Sequence, residues 1–216
     1  ELNIQRIIPG FIWKMFGLKK PNSITCGKLW DIGDGVLCLE FTSPQNSLDP
    51  FNLALMNKAR KMIEKGKHGA KALVIHNESQ NFSVGANIKL AEIAANYGQH
   101  WAIDKLVDYG QSTYKKLKYA DFPVVTAPSG MALGGGCEVS LHADAVVAHA
   151  ETYTGLVEMG VGFIPGWGGC VEMLRRAIND PKSAKGPMPP IVKAFETIAM
   201  VKVSMSGEEA KSLSYF

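Results

Sequence analysis

The chain has 216 residues, of which 46% are hydrophobic and 20% are charged, and its formal net charge is +3. This length suits one domain with a substantial core, and the balance of apolar and charged residues argues against disorder. The charge forms no basic stripe of the kind that binds nucleic acid, and no window approaches the roughly 18 apolar residues of a membrane span. The four cysteines are widely spaced, so we expect reduced thiols, no metal site and a cytoplasmic protein.

The first 26 residues are predicted to be a linker or N-terminal extension that precedes one domain over residues 27–216. The chain begins with Glu1 and not Met, which indicates a processed or excised piece of a longer protein. The apolar run at residues 7–13 is compatible with an amphipathic membrane anchor or with a linker packed against a neighbouring domain. We favour the linker, because the run lacks the features of a signal peptide.

Strands and helices alternate from residue 27 onward. Segments 27–31 and 36–41 flank the turn signal Gly33-Asp34-Gly35 and predict a hairpin. A helix is predicted to begin with Asp49 as N-cap and to end near Gly66. The remaining predicted elements are strands at 72–75, 123–127 and 145–148, helices at 88–95, 101–117, 137–142, 171–178, 191–199 and 207–213, and a loop at 180–190. This order predicts an α/β fold in which helices cover a mostly parallel sheet.

Glycine is concentrated in one part of the chain, since 10 of the 22 glycines fall within residues 130–169. The run Gly134-Gly135-Gly136 follows a predicted strand and leads to a helix, and the segment 82–88 lies in a similar place after an earlier strand. N–H groups at a helix start have no helical partner, so two such groups from different loops could form an oxyanion hole. A tight turn is the alternative interpretation of the triplet.

Two carboxylates lie in apolar sequence. Glu138 is on an otherwise apolar helix, and Glu158 lies within the segment Leu156-Val157-Glu158-Met159. Burial raises the pKa of a carboxyl group and a paired carboxylate splits the two values, which is how acid–base catalysis is arranged. Two surface or capping carboxylates are the simpler alternative.

Three motifs, in order along the chain, resemble the crotonase family. They are Phe82-Ser83-Val84-Gly85-Ala86-Asn87-Ile88-Lys89, Gly134-Gly135-Gly136-Cys137-Glu138, and Glu158 with Gly162-Phe163-Ile164-Pro165-Gly166-Trp167-Gly168-Gly169. The similarity is to enoyl-CoA hydratases and extends from about residue 27 to the end of the chain. It implies a ββα superhelix core that binds acyl-CoA thioesters, with family members usually assembled as trimers or dimers of trimers.

The resemblance also implies roles for individual residues. The N–H groups of Ala86 and Gly135 would hold the thioester oxygen, Glu138 would activate water and Glu158 would deliver a proton to the α-carbon. No metal or further cofactor is implied, because CoA is part of the substrate. Contacts to the substrate and its CoA are expected at Asn46, Val84, Asn87, Ile88, Lys89, Met131, Leu133 and Gly134.

Other functions remain open at this point. A double-bond isomerase of the same family needs only the carboxylate at the Glu158 position, and a non-catalytic acyl-CoA-binding module would need neither. Residues 9–40 resemble the junction in bacterial multifunctional fatty-acid oxidation enzymes, which implies a fused or adjacent 3-hydroxyacyl-CoA dehydrogenase domain. Four features depart from the family. Asn87 stands where an acid is common, Val157 stands where proline is common before the second Glu, and the loop at 180–190 resembles an insertion. The sequence also stops before the usual closing helices, so we expect a truncated domain.

Overall fold

A computed structural model of the chain describes residues 26–182 and 184–216. Residues 1–25 of the predicted linker at 1–26 lie outside the described residues. Within the described ranges, no helix combines the length and the apolar character needed to cross a membrane.

The main sheet has five strands in the order β1, β2, β3, β4, β6. Their bounds are β1 Gly27–Asp31, β2 Val36–Phe41, β3 Ala72–His76, β4 Val124–Ala127 and β6 Ala145–Val146. The hairpin partner β1 is antiparallel to β2, and the pairs from β2 to β6 are parallel. The predicted mostly parallel sheet is therefore confirmed, and the carboxyl ends of its parallel strands lie at one edge.

Helices connect these strands and pack against the sheet. The first, α1, spans Pro50–Glu64 and begins with a capping box, because the Asp49 carboxylate accepts the Asn52 N–H and the Asn52 side-chain oxygen accepts the Asp49 N–H. The others are α2 Ile88–Asn96, α3 His100–Lys118, α4 Gly135–Leu141, α5 Gly169–Asn179, α6 Met188–Ala199 and α7 Gly207–Ser212. Short 3-10 turns lie at Pro44–Asn46, Lys67–Gly69 and Glu158–Val161.

A second, two-stranded sheet was not predicted. It pairs β5 (Met131–Leu133) in parallel with β7 (Tyr153–Gly155). A single bridge between Ser83 and Ala132 joins β5 to the loop that follows β3. The small sheet therefore brings the glycine triplet, which follows β5 directly, next to the loop of residues 77–87.

Four predicted boundaries are wrong by two residues or more. Helices α4 and α5 begin at Gly135 and Gly169 instead of residues 137 and 171, and β6 ends at Val146 instead of residue 148. Helix α6 begins at Met188, so the last three residues of the predicted loop 180–190 are helical. Its prolines lie in the first turn, where a missing N–H breaks no helical hydrogen bond.

The buried side chains form two main clusters on either side of α4. The larger cluster contains the sheet, α1 and part of α3, and it includes Val139. The smaller one lies among α5, α6 and α7 and includes Cys137 and Leu141. Because α4 contributes to both clusters, all seven of its residues are buried, Glu138 among them.

Candidate active site

Two loops meet at the carboxyl edge of the strands. A β-carbon on Gly85 would lie 3.0 Å from the Leu133 carbonyl oxygen and 3.3 Å from the Gly135 nitrogen, and Gly85 has a φ of +100°. Only glycine combines that φ with such a close approach. Ser83 stabilises the loop that contains Gly85, because its Oγ donates to the Asn46 carbonyl and accepts the Gly85 N–H.

The N–H groups of Ala86 and Gly135 come from these two loops. Neither makes a hydrogen bond within the described part of the chain. The two residues are close, because a β-carbon on Gly135 would lie 3.4 Å from the Ala86 nitrogen. Both line a single cavity of about 170 Å³. Two donors without partners beside one cavity form a potential oxyanion hole.

Glu138 lines the same cavity and is 1% exposed. Its Oε1 accepts the Trp167 N–H at 2.9 Å and the Gly169 N–H at 2.8 Å, so the start of α5 fixes the carboxylate. Burial, and then the negative charge of Glu158, raise the pKa of Glu138 to about 8, although the two N–H groups partly oppose the shift. This carboxyl group therefore holds a proton near neutral pH.

Glu158 begins the 3-10 turn after β7 and faces the glycine triplet. A β-carbon on Gly134 would lie 3.2 Å from Glu158 Oε1. The other oxygen, Oε2, is buried and has no hydrogen-bond partner among the described residues. Burial raises the pKa of Glu158, and the N–H groups of Glu158 and Val157 partly offset this. An unpartnered buried carboxylate oxygen is costly and is typical of a functional site.

The rest of the cavity wall is apolar. Helices α2 and α3, the segment 161–167 and neighbouring loops contribute Val84, Ile88, Ala91, Ile103, Leu106, Val107, Val157, Val161, Phe163, Ile164 and Trp167. The cavity therefore combines a polar end, with two N–H groups and two carboxyl groups, and a hydrocarbon-lined remainder. A ligand with a carbonyl group and an apolar tail fits this arrangement.

The structure brings eight of the twelve predicted site residues to this cavity. They are Val84, Ala86, Asn87, Ile88, Gly134, Gly135, Glu138 and Glu158. The other four, Asn46, Lys89, Met131 and Leu133, are not among its lining residues. Asn46 is buried below the loop, where its Nδ2 donates to the Asn81 carbonyl at 2.8 Å. Met131 and Leu133 lie in β5, and Lys89 is exposed on α2.

Sequence reasoning missed the position of the Trp167 side chain. The indole is buried between α3 and α4, and it packs edge-on against Tyr114 with ring centroids 5.6 Å apart. A β-carbon on Gly110 would lie only 2.2 Å from its Nε1. A glycine inside a helical pattern often has such a packing reason, so Gly110 was the available signal.

The fold and the cavity together define an α/β protein that can hold a carbonyl compound between loop N–H groups and two carboxyl groups. The chain belongs to the crotonase family, because residues 31–186 match the family described as Enoyl-CoA hydratase/isomerase. The predicted family resemblance is confirmed.

Two curated relatives are much longer than this chain. A Bacillus subtilis (strain 168) protein named "Probable 3-hydroxyacyl-CoA dehydrogenase" is 41% identical over 186 residues, which cover 86% of this chain and 23% of that protein. A Rickettsia felis protein named "Putative fatty acid oxidation complex trifunctional enzyme" is 39% identical over 139 residues, covering 64% of this chain and 19% of that protein. The chain thus spans less than a quarter of the length of either relative.

Solved structures share the fold at low sequence identity. The crystal structure of an enoyl-CoA hydratase from Bacillus anthracis superposes with a TM-score of 0.72 at 22% identity, covering 88% of this chain and 68% of that one. An enoyl-CoA hydratase from Polaromonas sp. JS666 superposes with a TM-score of 0.73 at 20% identity, with the same coverage. The predicted crotonase-like α/β fold is confirmed.

Proposed function

We propose that this chain is an enoyl-CoA hydratase module that adds water across the trans-2 double bond of an acyl-CoA thioester. One observation supports this most strongly: the buried Glu138, the half-buried Glu158 and two N–H groups that have no partner among the described residues line the same cavity. Hydration needs both a base for water and an acid for the α-carbon, and two such groups are present at Glu138 and Glu158.

The proposed oxyanion hole acts on the thioester oxygen. As the oxygen of water bonds to the β-carbon, the double bond shifts toward the carbonyl and negative charge develops on that oxygen. The N–H groups of Ala86 and Gly135 would stabilise this charge, and they are already oriented by Gly85 and by the start of α4. Donors that are fixed before the reaction need no reorganisation as the charge develops.

The proposed proton transfers balance over one turnover. Glu138 accepts a proton from water as the hydroxyl group bonds to the β-carbon, and protonated Glu158 gives its proton to the α-carbon. The reaction leaves Glu138 protonated and Glu158 ionised. A pKa of about 8 favours a proton on Glu138 in the empty site as well. The next hydration therefore requires that this proton pass to Glu158, whereas the reverse dehydration can begin directly.

A double-bond isomerase is the second candidate, and one observation favours it. Glu158 Oε2 has no partner within the described residues, whereas Glu138 Oε1 is already bound by two N–H groups. A single mobile proton carrier at Glu158 is sufficient to move a proton between two carbons of an enoyl chain. The isomerase would then use Glu138 as a fixed part of the wall.

The names of the curated relatives support a further part of the proposal. Hydration of a 2-enoyl-CoA yields a 3-hydroxyacyl-CoA, and the Bacillus subtilis relative is named for a dehydrogenase of that compound. We therefore propose that this module works beside, or fused to, a 3-hydroxyacyl-CoA dehydrogenase domain, which would consume its product. The substrate itself carries CoA, and the proposed reaction needs no other cofactor.

The test compares Glu138→Gln and Glu158→Gln with the unaltered full-length polypeptide. Each glutamine keeps the shape and removes the acid–base function, so hydration of crotonyl-CoA should fall by about 10²–10⁴-fold. Hydration is followed by the loss of ultraviolet absorbance of the conjugated thioester. Glu92→Gln, an exposed change on α2, is the matched control and should leave the rate unaltered.

Three results would contradict or redirect the proposal. Absence of hydration by the unaltered protein, or full activity in both glutamine variants, would overturn it. If a 3-enoyl-CoA is converted to the conjugated isomer without hydration and only Glu158→Gln abolishes this, the isomerase is correct. Acyl-CoA binding without any turnover would identify a non-catalytic binding module.

A further inference from the structure

We propose that Tyr114 on α3 is a positioning residue, which holds the Gly135 N–H in place through a hydrogen bond to the Gly135 carbonyl. The role of that N–H as an oxyanion donor rests on the proposed function. The position and the contacts of the tyrosine rest on the structure alone.

The glycine triplet at residues 134–136 depends on contacts from outside itself. Glycine has more backbone conformations open to it than any other residue, so three in a row are flexible when nothing holds them. The Gly134 N–H donates to the Gly155 carbonyl at 2.8 Å, and the Gly134 carbonyl accepts the Glu138 N–H at 2.9 Å. The Gly135 N–H belongs to the same peptide group as that carbonyl, and it keeps its direction only if the Gly135 α-carbon is also fixed.

Tyr114 acts on the other side of this α-carbon. Its hydroxyl donates to the Gly135 carbonyl at 3.1 Å, and the tyrosine is fully buried. Its ring packs against Trp167 and His142, with centroid distances of 5.6 and 5.4 Å, so neighbours on two sides fix the ring. Burial, and then the charges of the two cavity carboxyl groups, raise the pKa of the hydroxyl well above its ordinary value, so it stays a proton donor.

The Trp167 indole supports the same glycine from another direction. A β-carbon on Gly135 would lie 2.9 Å from the indole Cζ3 atom and 3.4 Å from the Ala86 nitrogen. The ring is therefore in van der Waals contact with Gly135 and leaves its α-carbon no room to move closer. A hydrogen bond at the carbonyl and a ring beside the α-carbon together hold Gly135 close to the Ala86 N–H.

The tyrosine acts without touching the ligand. Tyr114 is not among the residues that line the cavity, whereas Gly135 and Ala86 are. Loss of its hydroxyl therefore removes no contact to a bound acyl-CoA. A displaced N–H stabilises the transition state less well, because the negative charge develops on the thioester oxygen there and is small in the bound ground state. We therefore expect an effect on kcat and not on KM.

The experiment measures Tyr114→Phe in the full-length polypeptide, since phenylalanine keeps the ring packing and removes only the hydroxyl. For hydration of crotonyl-CoA, kcat should fall by about 10- to 100-fold and KM should stay within about twofold, since a small displacement of a fixed group produces such a loss. Tyr109→Phe is the matched control, because Tyr109 lies on the same helix, has its hydroxyl beside Asn57 and does not line the cavity. Its kcat should equal that of the unaltered protein.

The spectrum of a bound ligand gives a second measurement. The extended conjugation of 2,4-hexadienoyl-CoA disfavours the addition of water, and its absorbance moves to longer wavelength when hydrogen bonds polarise the thioester carbonyl. The unaltered protein and Tyr109→Phe should show this shift. Tyr114→Phe should bind the compound with the same Kd and show a smaller shift, whereas a general loss of structure would weaken binding.

A double variant tests whether the tyrosine acts through Gly135. Gly135→Pro removes the N–H, so Tyr114 has no donor left to position. Adding Tyr114→Phe to Gly135→Pro should therefore lower kcat by less than about twofold, although the same change lowers kcat at least about tenfold in the unaltered protein. Full additivity of the two changes would show that the hydroxyl acts elsewhere and would overturn the inference.

The remaining outcomes separate the inference from the proposed function. If Tyr114→Phe keeps the kcat and the absorbance shift of the unaltered protein, the inference is wrong and the proposed hydratase stands. If the unaltered protein shifts the absorbance without hydrating crotonyl-CoA, and Tyr114→Phe weakens the shift, the positioning role is supported and the hydratase is rejected. If the unaltered protein binds no acyl-CoA, both are wrong.

Discussion

Two buried glutamates lie near the Trp167–Gly169 segment, and their surroundings shift their pKa values in opposite directions. In the cavity, burial raises the pKa of Glu138 to about 8 and no cation lies within ion-pair distance of its carboxylate among the described residues. In the first turn of α5, Glu172 is also buried, but it forms ion pairs with Lys118 and Arg175. Burial alone would raise the pKa of Glu172, and the hydrogen bond and charge of Lys118 reverse this, so its pKa is lowered.

The difference separates a structural carboxylate from a candidate catalytic one. The charge of Glu172 is balanced by Lys118 and Arg175, so its carboxyl group stays ionised. Such a group suits a structural role, because its ion pair with Lys118 joins α5 to α3. Among the described residues, no cation pairs with Glu138 or Glu158, which costs stability and leaves both carboxyl groups with raised pKa values. The feature that distinguishes the cavity is therefore a pair of carboxyl groups without a cationic partner among the described residues, and not burial alone.

The largest expected effect is on stability, when the ion pair between Glu172 and Lys118 is broken. Glu172→Gln keeps the volume and leaves the Lys118 ammonium, whose side chain is 9% exposed, without its main counter-charge. We expect the free energy of unfolding to fall by about 3 kcal/mol or more, since breaking a buried ion pair leaves an unpaired charge. Urea unfolding measures it. The double variant Lys118→Met with Glu172→Gln should recover most of the loss, and a single variant within about 0.5 kcal/mol of the unaltered protein would remove the contrast.

The next effect is on the unpartnered N–H groups of the cavity. Gly135→Pro removes the proposed oxyanion donor at the first position of α4, where proline suits the helix. Turnover should fall by about 10²–10³-fold. Gly135→Ala is the control, because it adds the same β-carbon against Trp167 and keeps the N–H. Equal rates for the proline and alanine variants would show that the donor contributes nothing.

The smallest effect is on the pH dependence of stability. The folded state holds the Glu138 proton up to a pKa of about 8, whereas the ordinary value is 4.5, so the unfolded chain binds fewer protons between these values. Stability should therefore fall as pH rises through this window, with a slope of at most about 1.4 kcal/mol per pH unit. Above about pH 8 the slope from this group ends.

Urea midpoints between about pH 6.5 and pH 8 test this slope, because Glu172, with its lowered pKa, stays ionised throughout. Glu138→Gln should flatten the slope, and the exposed change Glu92→Gln should not. A variant slope equal to that of the unaltered protein would show that Glu138 is already ionised at neutral pH, and the contrast with Glu172 would be lost.

Much of the fold is predictable from local signals. The hairpin of β1 and β2 and the start of α1 follow from a turn motif and from the Asp49-Pro50 cap, and the structure has them at the predicted residues. The two carboxyl groups are recognisable because a charged residue in an apolar segment must be compensated or functional. Each of these signals is contained within a few consecutive residues.

Other features depend on contacts between distant segments. Strands β5 and β7 have three residues each, and they pair with one another although about twenty residues separate them in the chain. Trp167 lines the cavity because Gly110, on a helix far earlier in the chain, leaves room for it. The Asn46 side chain donates a hydrogen bond to the carbonyl of Asn81, which lies 35 residues later in the chain. No local pattern specifies such pairings.

The contact between Gly110 and Trp167 has an evolutionary consequence. With the indole in place, any side chain at position 110 would overlap it, and a smaller residue at position 167 would leave a void beside Tyr114. The two positions can therefore diverge only together, as a compensated pair. Among proteins that share this cavity, a non-glycine residue at position 110 should coincide with a residue smaller than tryptophan at position 167.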